Sequence, residues 1–314
     1  MFLLGTESKR KLKIIRQSKY ARKCSKYHHI KAYLPGNQWL ASINEYYFIG
    51  GELMVRQIAI VVILIIASST SGIAADVGTF KASEIAPAGT PLMLTGKLTK
   101  PQGNGPFPAI VLLHGCAGIR SYQDVWAGRF ASWGYVAFQV DSLGPRGLSS
   151  ICEDASLIIS LIHKRTQDAY DAKTYLAGLD FVDRNRVGVM GWSHGGWTTI
   201  SVVAQKRDDP FRSAIAFYPY CDRVLFDLNA PLLILIGEKD DWTLAGMCTM
   251  QMHPVQTGHE VILKIYPDAY HGFDGEGLDM VAAGHDGGHR ILYNPAAAAD
   301  ANIRVREFLA KHLQ

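Results

Sequence analysis

The sequence predicts a protein of the α/β class, with a mostly parallel, doubly wound sheet and helices on both faces. Two observations carry that reading. From Pro91 onward, short apolar runs bounded by Gly and Pro alternate with helix-like stretches, the pattern of strand, crossover helix, strand. Several of those runs are apolar throughout rather than at alternate positions, as strands covered on both faces must be.

Taken in order, Pro91 to Leu98 suits an edge strand, and Pro108-Ala109-Ile110-Val111-Leu112-Leu113 is the first fully buried one. A helix follows over Tyr122 to Trp133, stopped by Gly134. Tyr135 to Val140 reads as the next strand, with Asp141 to Arg146 as the loop at its carboxyl end. A long helix from about Asp154 to Leu179 sets Leu157, Leu161, Tyr175 and Leu179 on its apolar side. Arg186 to Met190 is a strand and Gly196 to Gln205 a helix-like run. Ser213 to Tyr218, Pro231 to Ile236 and Val261 to Tyr266 are further strands, and a helix over Pro295 to His312 closes the domain.

At 314 residues and 48 % apolar, the chain can fill a substantial core. Its N-terminal quarter reads differently. Residues 1–53 hold ten Lys and Arg, few acids and no sustained apolar period, so a disordered extension is expected there. Residues 54–75 have the order of a secretory signal peptide: a charged start at Met54-Val55-Arg56, the apolar run Ile58 to Ala67, and small residues ending in Ala74-Ala75. That apolar run is too short for a bilayer span, which takes about 20 residues, so the mature form is expected to have no stable membrane span. Met54 is therefore read as the natural start, residues 76–314 as the folded domain, and the destination as secreted or periplasmic. Residues 1–75 contribute 11 basic and 3 acidic side chains, leaving 21 basic and 25 acidic in the rest. The positive charge thus belongs to the leader, and nothing in the domain points to nucleic acid.

An exported domain would meet oxidising conditions, and four cysteines follow the leader. Cys221 and Cys248 flank the strand at 231–236, while Cys116 and Cys152 each follow one of two neighbouring strands. The pairs 221–248 and 116–152 are the expected disulfides, four buried free thiols the alternative.

The chemistry centres on Gly191-Trp192-Ser193-His194-Gly195, a G-x-S-x-G element lying between a strand and a helix. In that setting the serine sits on a sharp turn that lifts its hydroxyl out of the sheet. A serine hydroxyl is a poor nucleophile at neutral pH and needs a base, a group to orient the base, and donors for the developing oxyanion. Two loops at later strand ends supply candidates: Gly237-Glu238-Lys239-Asp240-Asp241-Trp242 and Tyr266-Pro267-Asp268-Ala269-Tyr270-His271-Gly272-Phe273. The order serine, acid, histidine selects His271 as base and Asp240 as acid, with Asp241 the nearer rival and Glu238 the further one. The backbone N–H of His194 and that of Cys116, in His114-Gly115-Cys116-Ala117-Gly118, are the expected oxyanion donors. Arg146 and Tyr122 are candidate substrate contacts; for Arg146 an ion pair with Asp141 or Glu153 competes. His285 and His289 lack the further ligand a metal site would need, so a mobile loop is expected there and no metal.

These same motifs, with Gly237 to Thr243 and His271-Gly272-Phe273, resemble the dienelactone hydrolase family over roughly residues 90–312. The resemblance implies an α/β-hydrolase fold and hydrolysis of a small ester or lactone through an acyl-enzyme without a cofactor, and it sets Asp240 where the family's triad acid lies. The founding members carry cysteine at the nucleophile position, whereas this chain has Ser193, so their substrate does not transfer. Gly195-Gly196 also resembles the catalytic domain of prolyl-oligopeptidase-type peptidases. A peptidase or acyltransferase using the same triad, and a non-catalytic binding protein on the same scaffold, are the competing readings.

Overall fold

The computed structural model describes residues 75–222, 227–251 and 258–313, together with two short strands earlier in the chain. Those two, β1 (Ile30–Tyr33) and β2 (Trp39–Ile43), pair antiparallel within an N-terminal unit that ends at Ser71. Apart from these strands and Ala75, the expected extension and signal peptide lie outside the described residues.

The second unit is built on an eight-stranded sheet. Its strands are β3 (Ala75–Ile85), β4 (Pro91–Thr99), β5 (Phe107–Leu113), β6 (Val136–Asp141), β7 (Val182–Trp192), β8 (Ala214–Phe217), β9 (Leu232–Gly237) and β10 (Val261–Tyr266). Their spatial order is β10-β9-β8-β7-β5-β6-β4-β3, parallel except that β4 runs against both of its neighbours. Among the described residues five α-helices accompany the strands: α1 (Ser121–Ser132), α2 (Ala155–Ala177), α3 (His194–Val203), α4 (Ala245–Gln251) and α5 (Pro295–His312). Helices α2 and α3 pack on each other and on the sheet, α1 lies on β6, and α5 lies on β9.

Covering both faces makes the central strands uniformly apolar: Ile110, Val111, Leu112, Leu113, Val189, Met190, Ile215, Phe217, Ile234 and Leu235 are all buried. That burial is why unbroken apolar runs, rather than alternation, mark these strands in the sequence. The long helix departs from its expected pattern. Beside Leu161, Ile162 and Leu176, the inner face of α2 buries Arg165, Asp168 and Lys173.

Parallel strands bring the loops after β5, β7, β8, β9 and β10 to one edge of the sheet, where open α/β sheets place their sites. The register lines them up: Leu113 faces Gly191, Trp192 faces Phe217, and Gly237 faces Tyr266. The structure joins Cys116 to Cys152 and Cys221 to Cys248. Cys116–Cys152 ties the loop after β5 to the approach to α2, and Cys221–Cys248 ties the chain after β8 to α4.

Candidate active site

Ser193 stands between the last residue of β7 and the first of α3, at φ 54° and ψ −116°. Few non-glycine residues adopt this backbone, and the surrounding structure must enforce it. Enforcement comes from close backbone packing. A Cβ added to Gly191 would collide with the Gly195 carbonyl, and one on Gly195 with the Leu113 carbonyl. The Ser193 N–H donates to the Phe217 carbonyl at 2.9 Å, which fastens the turn to the end of β8. Its side chain stays half-buried and reachable.

The base side is assembled by hydrogen bonds. His271 Nδ1 lies 2.8 Å from Asp240 Oδ2, and both side chains are almost completely buried. The other carboxylate oxygen, Oδ1, accepts from the N–H groups of Trp242 (3.0 Å) and Thr243 (2.8 Å). Thr243 Oγ1 is 3.0 Å from both Asp240 Oδ2 and the Tyr218 carbonyl. With Oδ1 occupied by the backbone, Oδ2 is aimed at the imidazole, which fixes the ring's orientation. The rival carboxylates point elsewhere: Asp241 accepts from the Arg290 N–H at 3.1 Å, and Glu238 is exposed. Ser193 and His271 converge on the end of β8, one bonded to Phe217 and the other with its ring centroid 4.5 Å from that of Tyr218.

The loop after β5 lies against the serine. A Cβ built on Gly115 would rest 3.6 Å from the Ser193 Cβ. Cys116, the next residue, is held by its disulfide and by accepting from the Ile151 N–H at 2.9 Å. His194 opens α3, so its N–H has no acceptor inside the helix.

Between the loop after β5 and the start of α3 lies an arginine that sequence reasoning missed. Arg165, fully buried on α2, reaches the His114 carbonyl and His194 Nδ1, each at 2.5 Å. Burial pulls its pKa down to about 10, leaving it charged at neutral pH. Burial, and then the Arg165 charge, push His194 down to about 3, while burial holds His114 well below the ordinary histidine range. His194 is therefore neutral, accepting at Nδ1 and donating from Nε2 to the Ile158 carbonyl at 2.8 Å. His114 and His194 thus brace the loop and the elbow.

Of the two candidate substrate contacts, only Tyr122 is near the site. Its hydroxyl would lie 3.9 Å from a Cβ on Gly115, and its ring packs edge-on against Trp192. Arg146 is a correction: its guanidinium donates to Asp168, Glu84 and the Ser142 carbonyl through all three nitrogens, leaving nothing for a substrate. It is an ion-paired arginine, but its partners are not Asp141 or Glu153.

The expected loop around His285 and His289 is also corrected. It is a hairpin, β11 (Asp279–Gly284) with β12 (Gly287–Leu292), closed by His285-Asp286. His289 stacks on Trp242 with ring centroids 4.7 Å apart and is bound to Asp286. The Leu292 N–H donates to the His271 carbonyl at 3.2 Å, so the hairpin braces the histidine loop. Among the described residues no group of His, Cys, Asp and Glu is placed to hold a metal ion.

Sheet order, strained serine turn and paired His–Asp loops define an α/β-hydrolase. The chain belongs to the dienelactone hydrolase family, whose model matches residues 94–313. Among curated proteins it is 27 % identical, over 69 % of this chain and 88 % of the other, to a Bradyrhizobium protein named "Probable 2-oxo-3-(5-oxofuran-2-ylidene)propanoate lactonase". It is 30 % identical over 151 residues to mouse dipeptidyl peptidase 8, of whose length it spans only 16 %. The crystal structure of a dienelactone hydrolase from Anabaena variabilis shares the fold, with a TM-score of 0.54 at 17 % identity over 76 % of this chain and 99 % of that one.

Proposed function

We propose that this family member is a serine esterase or lactonase, in which Ser193 attacks the substrate carbonyl and His271 takes the serine proton and returns it to the leaving oxygen. Asp240 holds the imidazole in the tautomer that can accept that proton and stabilises the imidazolium that forms. The N–H groups of Cys116 and His194 receive the oxyanion of the tetrahedral intermediate. The acyl-enzyme is released by water activated at the same histidine. A serine at the elbow, where the founding family members have cysteine, sets the intermediate as an ordinary ester. The observation that carries the reading is the buried His271–Asp240 hydrogen bond opposite the strained elbow.

The lactonase relative, matched along most of its length, favours a small ester or lactone over a peptide amide. The two disulfides support an exported protein, since such bonds persist in oxidising compartments. Ser193→Ala is expected to lower kcat/KM for p-nitrophenyl acetate by roughly 10⁴-fold or more and to abolish labelling by a fluorophosphonate. Near-native turnover by that variant would overturn the assignment. Peptide-amide turnover exceeding ester and lactone turnover would transfer it to the peptidase reading.

A further inference from the structure

Three residues beyond His271 lies Asp274, a fully buried carboxylate that the proposed chemistry does not use. Its Oδ2 accepts from the indole N–H of Trp126 at 2.8 Å and of Trp192 at 3.0 Å, and its Oδ1 accepts from the Tyr218 hydroxyl at 2.7 Å. All three partners donate, so the group is satisfied as an acceptor-only carboxylate. Burial raises its pKa, and the three donated hydrogen bonds oppose that rise. An isolated buried charge costs several kcal/mol, so a buried carboxylate whose side-chain partners are two tryptophans and a tyrosine needs a reason beyond packing.

Its three partners supply one. Trp192 immediately precedes Ser193. Trp126 is on α1, the helix that carries Tyr122. The Tyr218 ring lies against the His271 imidazole. Tyr218 is itself strained, at φ 36°, a conformation that bulky residues avoid. Three bonds hold it there: its N–H to the Leu235 carbonyl at 2.6 Å, its carbonyl 3.0 Å from Thr243 Oγ1, and its hydroxyl to Asp274. Thr243 in turn touches Asp240. One carboxylate thereby joins the residue before the nucleophile to the ring that backs the base, across elements far apart in sequence.

We infer that Asp274 is a positioning residue, which through Tyr218 and Trp192 sets His271 and Ser193 in mutual register for proton transfer. The inference rests on the serine-hydrolase reading above. It acts on geometry at the reacting centre and not on substrate affinity, so its loss falls on kcat and spares KM.

The test compares Asp274→Asn, Tyr218→Phe and the double variant in p-nitrophenyl acetate hydrolysis, with Ser193→Ala alongside. Each single variant is expected to lower kcat by about 10²-fold, the usual cost of misplacing a reacting group by about 1 Å, with KM within about twofold of the parent. The double variant is expected to be no slower than the slower single one, because both cut the same link. Tyr218→Phe removes only a hydroxyl, so it reads the link even if Asp274→Asn folds poorly. Parent-like kcat in Tyr218→Phe, or single effects that multiply in the double variant, would overturn the inference while an inactive Ser193→Ala leaves the hydrolase reading standing. An active Ser193→Ala would overturn both.

Discussion

The two halves of the site are built on different principles. On the nucleophile side, position is set by backbone sterics: Gly191 and Gly195 leave no room for a Cβ, and Ser193 is forced into its turn. A charged arginine then locks the loop and the helix from below. On the base side, position is set by side chains from distant segments. Asp240, Thr243, Tyr218 and the hairpin at 279–292 each hold His271 by one bond or ring contact. Packing without slack makes the first half rigid. The second half can be dismantled one contact at a time, which makes it the place to separate roles by mutation.

Among the contacts that hold His271, the largest effect should come from Asp240→Asn. The asparagine keeps its volume and can still accept from the N–H groups of Trp242 and Thr243, yet it no longer stabilises the imidazolium or enforces the useful tautomer. A loss of about 10⁴-fold in kcat, equivalent to about 5.5 kcal/mol, is expected, with little change in melting temperature. Steady-state kinetics beside a thermal melt checks this. A loss below about tenfold would mean that the backbone alone orients His271 and that the two halves are alike.

The contrast between the halves also explains what the sequence revealed. The elbow was legible because steric necessity writes itself as local sequence: strand, glycine, serine, glycine, helix. Central strands were legible because two covered faces demand unbroken apolar runs. His271 and Asp240 were found through chain order and loop position, but choosing Asp240 over Asp241 required knowing which oxygen meets which imidazole. Strand β3 carries Phe80 as its one large inward residue, with Gly78 and Ala82 beside it and Val77 exposed, so no apolar pattern marks it. The two residues that close the hairpin, His285-Asp286, include no glycine to announce a two-residue turn, so the segment around His285 and His289 read as a mobile loop. Arg165 and Asp274 could not be read at all. Their meaning lies in partners on other elements, at His114 and His194 for one and at Trp126, Trp192 and Tyr218 for the other.

Acid should separate the halves next. His194 is held neutral in the fold, with its pKa pushed from 6.5 down to about 3, so between those values the unfolded chain binds a proton that the native one does not. Stability is then full above about pH 6.5 and is lost as pH falls toward 3, by on the order of 5 kcal/mol for this group. His114, depressed in the same direction, adds to the slope. His194→Gln keeps an acceptor for Arg165 and a donor for the Ile158 carbonyl, and it should flatten the decline. Urea midpoints at pH 7 and pH 4 test it. An unchanged slope in the variant would show that acid sensitivity does not originate beneath the oxyanion loop.

The smallest effect is assigned to Asp241→Asn, and its smallness is the point. Asp241 is half-exposed and accepts from the Arg290 N–H on β12 at 3.1 Å, with His289 Nδ1 a further 3.9 Å contact. Such a partly solvated bond contributes about 1 kcal/mol or less, and an asparagine side-chain oxygen retains most of it. The hairpin would loosen at one end while its stack of His289 on Trp242 stays in place. A kcat within about threefold of the parent, with any change confined to KM, is therefore expected. Measured beside Asp240→Asn, this variant tests the division of labour between adjacent carboxylates: if Asp241→Asn were the more damaging of the two, the acid would have to be reassigned and the hairpin would become part of the machinery that moves the proton.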